Sequence, residues 1–212
     1  MPAGGDVTGL SYLALGDSYT IGEGVAAQAR WTHQLAAALR AEGIALQDPR
    51  TIAMTGWTTD ELDAAIDAVA PASDHDLVTL LIGVNNQYRG RDLGNYAAEF
   101  ERLLARAIGF AGGRPERVVV LSIPDWGATP FGAGSGRDLA RVSAELDAHN
   151  AAARVACTRL GAAFVDITPL SRECGDEEAM LAADGLHPGP AMYALWAQLA
   201  LPAARDALQV RA

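Results

Sequence analysis

Short, nearly unbroken apolar runs alternate along this chain with longer segments in which apolar residues recur every three or four positions. Runs at 12–15, 51–54, 77–82, 118–123 and 163–167 predict strands. Those at 77–82 and 118–123 carry hardly a polar residue, the pattern of strands buried on both faces of a parallel sheet. The segments between them predict helices. Trp31, Leu35 and Leu39 form one apolar stripe. Leu62, Ile66 and Val69 form a second, entered through Thr58 with Glu61 following at capping-box spacing. Tyr96, Phe100, Leu103, Ala107 and Phe110 form a third, closed by Gly112 and Gly113. Leu139, Val142, Leu146, Ala153, Cys157 and Leu160 form a fourth. Met192, Leu195, Trp196 and Leu199 form a fifth, which Pro202 is expected to kink or end.

Strands alternating with helices in this way predict one three-layer α/β/α domain around a parallel sheet, with right-handed crossovers. At 212 residues the chain is long enough for one sizeable core and short for two. No linker, repeat or low-complexity block divides it, so residues 1–212 read as a single domain. The longest stretches without periodicity, 124–136 and 168–184, are expected to be irregular loops.

In an open parallel sheet, ligands bind outside the carboxyl ends of the strands. Chain order thereby becomes a spatial expectation: whatever follows each strand should share one rim. Gly16-Asp17-Ser18-Tyr19 follows the first strand and Thr55-Gly56-Trp57-Thr58 the second. Gly83-Val84-Asn85-Asn86 follows the third, and Asp184-Gly185-Leu186-His187-Pro188 lies beyond the fifth. Alone, Ser18 is an ordinary N-cap serine, Gly56 a loop glycine, Asn85 and Asn86 turn residues, and the Asp184–His187 spacing common. Together on one rim they are the parts of an acyl-transfer site. A serine attacks a carbonyl, a histidine takes its proton, and an aspartate orients the imidazole and stabilises its charged form. The backbone N–H groups of Ser18 and Gly56 and the Asn85 amide are candidate oxyanion donors. Pro188 suits the first position of the last helix, which would hold His187 at its start.

These blocks resemble those of the SGNH hydrolases, also called the GDSL esterase/lipase family. Gly16-Asp17-Ser18-Tyr19 resembles the first block, Gly56 the second, Gly83-x-Asn85 the third and Asp184-x-x-His187 the last, in the family's order. The resemblance spans Leu13 to Pro188. It implies a flavodoxin-like five-stranded sheet of order 2-1-3-4-5. It also implies a Ser18 nucleophile, a His187 base with Asp184 as its partner, an oxyanion hole from Ser18, Gly56 and Asn85, and no metal or other cofactor. One position departs: the third block often reads Gly-x-Asn-Asp, and Asn86 stands here in place of the aspartate. The departure is expected to tune the loop rather than abolish activity.

Composition narrows the partners. A net charge of −10 argues against nucleic acid and anionic membrane surfaces, both of which attract basic patches, and leaves a small acyl ester as the expected partner. No run approaches a membrane span, and residues 1–9 carry no basic region or leader-like apolar run, so a cytoplasmic protein is expected. Cys157 and Cys174 fit neither a metal motif nor a disulfide framework, which suits a reducing compartment. His33, His75 and His149 are scattered over different elements and suggest no metal site.

Trp57, Tyr88, Trp126 and Phe131 follow the strands and are candidate walls for an acyl pocket or a stacked sugar. Gly132, Gly134 and Gly136 are expected in a flexible flap at the rim rather than a phosphate cradle, because no Gly-Lys-Ser/Thr follows. Asn150, on the apolar stripe of the fourth helix, is expected to bond to loop backbone. Three functions fit: an esterase, lysophospholipase or thioesterase-like serine hydrolase; a carbohydrate acetylesterase on the same triad; and a catalytically idle binding module of the same fold. The sequence does not choose the acyl group or the oligomeric state.

Overall fold

The computed structural model describes residues 9–209; the N-terminal stretch read above as lacking a leader lies mostly outside them. β1 (Tyr12–Gly16) runs into the one-turn helix α1 (Ser18–Ile21), and α2 (Trp31–Ala41) returns to β2 (Arg50–Ala53). α3 (Thr59–Val69) leads to β3 (Leu77–Leu81), and α4 (Val84–Tyr88) and α5 (Leu93–Phe110) precede β4 (Val118–Leu121). α6 (Pro130–Gly134) and α7 (Leu139–Leu160) precede β5 (Ala163–Val165), and α8 (Thr168–Cys174) and α9 (Pro190–Gln209) follow it.

The five strands form one parallel sheet in the order β2-β1-β3-β4-β5. The three inner strands are buried along their whole length, as their unbroken apolar runs require. α2 and α9 pack together, as do α3 with α5 and α5 with α7, giving the two helical layers. The apolar stripes do this: Trp31, Leu35 and Leu39 of α2, and Tyr96, Phe100, Leu103 and Leu104 of α5, are all buried. Among the described residues no helix is long and apolar enough to cross a membrane.

Several expectations change; β5, for one, ends at Val165 rather than 167. α9 does not end at Pro202; it continues to Gln209, because Ala204, Ala207 and Leu208 extend the buried face beyond the proline. β4 stops at Leu121 rather than 123, because a side chain takes over from the ladder. Asn150 of α7 accepts the Ile123 N–H at 2.7 Å and donates to the Ile123 carbonyl at 3.0 Å. The 124–136 stretch is not loose: it holds a 3-10 turn (Trp126–Ala128) and α6, which contains Gly132 and Gly134. A Cβ on Gly132 would meet the Trp126 carbonyl oxygen at 2.5 Å, so glycine there permits close packing of α6 on the turn. The 168–184 stretch likewise holds α8 and a second 3-10 turn (Glu178–Met180). These elements are too short to show a period.

Asn150→Ala would strand the buried N–H of Ile123, while the Ile123 carbonyl keeps the Thr168 hydroxyl as a donor at 2.8 Å. The expected loss of stability is roughly 1–3 kcal/mol, read by chemical denaturation.

Candidate active site

β1 pairs with β2 and β3 on opposite sides, so connections leave its carboxyl end in opposite directions and open a crevice there. Gly16 closes β1 opposite Ala53 and Leu81. A Cβ on Gly16 would lie 2.2 Å from Thr20 Oγ1 and 2.4 Å from the Leu81 carbonyl oxygen, so only glycine lets the chain turn this tightly. Asp17 caps α1 by accepting the Tyr19 N–H at 3.0 Å. Ser18 is thereby the first residue of α1, at the helix end whose N–H groups have no partner within the helix.

A cavity of about 220 Å³ occupies the crevice. Ser18, Gly56, Asn85 and His187 line it with Tyr19, Thr55, Val84, Tyr88, Trp126, Phe131 and Leu186. Of the aromatic residues singled out from the sequence, Trp57 is the one that does not line it. Its ring is half-buried against the core, and its carbonyl accepts from Asn85 Nδ2 at 2.9 Å. That bond occupies one amide hydrogen of Asn85 and leaves the other free. Gly56 has φ of +87°, a conformation that a residue with a Cβ adopts only under strain. The Arg89 guanidinium donates to the Gly56 carbonyl at 2.6 Å and pairs with Glu61.

His187 and Asp184 are joined within one loop. Asp184 Oδ1 accepts the N–H groups of Leu186 and His187, each at 2.9 Å, and Oδ2 lies 2.6 Å from His187 Nδ1. Burial pushes the Asp184 carboxyl up, but the His187 ring and the two backbone donors outweigh it, and the group titrates below its usual range. An ionised carboxylate only accepts, so Nδ1 carries the hydrogen, and in the neutral imidazole the lone pair is then on Nε2. The loop is pinned by the Ala182 N–H to the His187 carbonyl at 2.8 Å and by a bridge between Leu181 and Pro188. The imidazole packs on Tyr19, with ring centroids 5.8 Å apart. Ser18 and His187 line the same wall, and among the described residues no hydrogen bond joins the Ser18 hydroxyl to the ring.

The aromatic wall is built on Trp126. Its indole meets Tyr88 and Phe131 edge-on, with centroids 5.4 and 6.1 Å away. Buried Gln87 fixes it by accepting the indole N–H at 2.9 Å while donating to Glu145 at 2.8 Å. Arg137 lies over the Tyr88 ring, 4.1 Å from its centroid. Gln87, Tyr19 and Leu186 escaped sequence reasoning. Tyr19 and Leu186 stand inside the quoted blocks, whereas nothing in the sequence signals that Gln87 meets Trp126.

A sequence profile described as the GDSL-like Lipase/Acylhydrolase family matches residues 14–195. No curated protein sequence matches the chain. Among solved structures, the chain is similar to one titled TesA, at 19% identity and a TM-score of 0.72 over 93% of this chain and 99% of that one. It is similar to Axe2, an acetylxylan esterase from Geobacillus stearothermophilus, at 18% identity and a TM-score of 0.70 over 96% and 98%. A member of the lipolytic G-D-S-L family from Veillonella parvula matches at 18% identity and 0.68 over 91% and 97%. At these identities the likeness is one of fold.

Asp17 carries a pH dependence. It is fully buried, and its Oδ2 has no hydrogen-bond partner among the described residues. Desolvation raises its pKa from 3.8 to about 7, against the lowering effect of the Tyr19 N–H. A carboxyl raised on folding stabilises the fold below its unfolded pKa and loses that contribution as pH rises through the folded one. The cost of this group to stability therefore grows from about pH 4 to about pH 7 and reaches roughly 4 kcal/mol above that. Asp17→Asn should be more stable than wild type at pH 8, with the difference shrinking towards pH 4.5 in denaturant titrations.

Proposed function

Because the chain belongs to the GDSL-like lipase/acylhydrolase family, we propose that it is a serine hydrolase of carboxylic esters working through an acyl-enzyme. The observation that carries this reading is His187, paired with Asp184, lining the same small apolar cavity as Ser18, Gly56 and Asn85. His187 Nε2, left as a lone pair, takes the Ser18 proton as Oγ attacks the ester carbonyl. The resulting oxyanion is met by the N–H groups of Ser18 and Gly56 and by the free amide hydrogen of Asn85, donors set before the charge develops. Imidazolium, stabilised by Asp184, then gives its proton to the leaving alkoxide as the tetrahedral adduct collapses to acyl-Ser18. Water, deprotonated by His187, releases the acid and restores Ser18. Binding of the ester is the event that brings the hydroxyl and the imidazole into hydrogen-bond contact.

The acyl side of the cavity is apolar, lined by Val84, Tyr88, Trp126, Phe131 and Leu186. This favours short- to medium-chain acyl groups over a bare acetyl. A second reading, a carbohydrate acetylesterase, draws support from the partly exposed rings of Tyr88 and Phe131, which could stack on a sugar.

Ser18→Ala should lower p-nitrophenyl ester turnover by at least about three orders of magnitude and abolish fluorophosphonate labelling, leaving the thermal melt intact. Full turnover in Ser18→Ala overturns the reading. Because the Asp184 carboxyl ionises below its usual range, its titration should leave no step in the pH–rate profile above about pH 4. Assays of acyl esters beside acetylated xylo-oligosaccharides separate the two substrate classes: preference for the longer acyl chain supports the first, and for acetyl-sugar the second.

A further inference from the structure

Asn86 is buried completely and does not reach the cavity. Its carboxamide spans to the start of α3: Oδ1 accepts the Thr59 N–H at 3.1 Å, and Nδ2 donates to Thr59 Oγ1 at 2.7 Å. Thr59, also fully buried, spends its single hydroxyl proton on Glu99 Oε2. The other Glu99 oxygen accepts from Asn95 at 2.9 Å, so Glu99 acts as acceptor on both sides. The direction of the whole chain follows. Glu99 takes the Thr59 proton, Thr59 Oγ1 must therefore receive a hydrogen, and position 86 must supply it while still accepting the Thr59 N–H. Among side chains of this size, an amide does both and a carboxylate does not.

Residues 56 to 59 are held by α4 and the residue after it. Arg89 takes the Gly56 carbonyl, Asn85 the Trp57 carbonyl, and Asn86 both polar groups of Thr59. Gly56 and Asn85 are the candidate oxyanion donors, so the distance between them is set by this latch. We propose that Asn86 is a positioning residue for the oxyanion hole, and that its identity as asparagine is dictated by Glu99 through the Thr59 hydroxyl. A carboxylate at position 86 is compatible with this fold only when position 99 can donate. The proposal rests on the hydrolase reading above.

The test is a cycle of wild type, Asn86→Asp, Glu99→Gln and the double variant, assayed for ester hydrolysis and thermal unfolding. In Asn86→Asp two carboxylates compete for one hydroxyl proton, and the loop shifts from its register. Its kcat is expected to fall about tenfold or more with KM changed less than about twofold, since the donors act on the transition state. The deficit should narrow as pH is lowered, because protonation of the introduced carboxylate restores a donor at position 86. Glu99→Gln alone should stay within about twofold of wild type. In the double variant the amide introduced at position 99 can donate to Thr59 Oγ1, which frees the hydroxyl proton for the carboxylate at position 86. There kcat should return to within about threefold of wild type.

A folded Asn86→Asp with unchanged kcat, or a double variant no better than Asn86→Asp, overturns the proposal. If Asn86→Asp does not fold, Thr59→Val reads the same link from the other end. It must lower kcat, Glu99→Gln must not rescue it, and Thr59→Ser must retain activity; full activity in Thr59→Val overturns the proposal. If wild type and Ser18→Ala are equally inactive, the hydrolase reading fails instead. The latch is then judged by melting temperatures in the same cycle, where Glu99→Gln must restore what Asn86→Asp loses.

Discussion

The parallel pairing of β1 with β2 on one side and β3 on the other is the constraint on which the rest of the molecule depends. It sends successive connections away from the end of β1 in opposite directions and leaves a crevice where they part. Ser18, Gly56 and Asn85 each stand only a few residues past the last ladder pair of their strands, so their convergence follows from register. Gly16 makes the convergence possible, since any side chain there would strike Thr20 and the Leu81 carbonyl. His187 and Asp184 come from the far end of the chain, and α9, packed along α2, returns them to the same rim.

Polar groups are costly beneath such a site, and most of them are answered in pairs. Asn86 with Thr59, Gln87 with Trp126, and Asn150 with Ile123 meet through buried hydrogen bonds, and Gln87 also donates to the half-buried Glu145. Buried Asp125 is met by Ser143 at 2.5 Å and by Arg172 at 2.8 Å. Satisfied networks of this kind fix geometry where apolar packing alone would permit sliding. Asp17, like Thr20, Tyr193 and Trp196 nearby, is an exception: it caps α1 through one oxygen and leaves the other without a partner among the described residues, beside the serine it orients. There, placement of Ser18 is held against a desolvation cost rather than with a stability gain.

Strand and helix positions and the blocks around Ser18, Gly56, Asn85 and His187 were legible in the sequence because each depends on local pattern, whereas the strand order was reached only through the family resemblance. Unbroken apolar runs exceed what a half-exposed strand tolerates. Stripes at helical spacing have one way to be buried, and an aspartate three residues before a histidine reaches the imidazole within one loop. The short elements were not legible. α6, α8 and the 3-10 turns at Trp126–Ala128 and Glu178–Met180 contain too few residues for a period to show. Continuation of α9 past Pro202 likewise depended on burial of Ala204, Ala207 and Leu208, which outweighs one missing backbone bond.

The sequence by itself determined which chemical groups stand on the rim and in what order, because parallel pairing converts order along the chain into position at the strand ends. Only the tertiary structure decided which of them face the cavity. Trp57, Tyr88, Trp126 and Phe131 look alike as loop aromatics, yet the ring of Trp57 is half-buried against the core while its carbonyl orients Asn85. The other three build the wall around an indole that Gln87 holds. The partnership of Asn86, Thr59 and Glu99 is likewise tertiary, because it joins three helices through one hydroxyl proton. Hydrogen-bond direction at such a junction is a property of the assembled group, and no residue spacing records it.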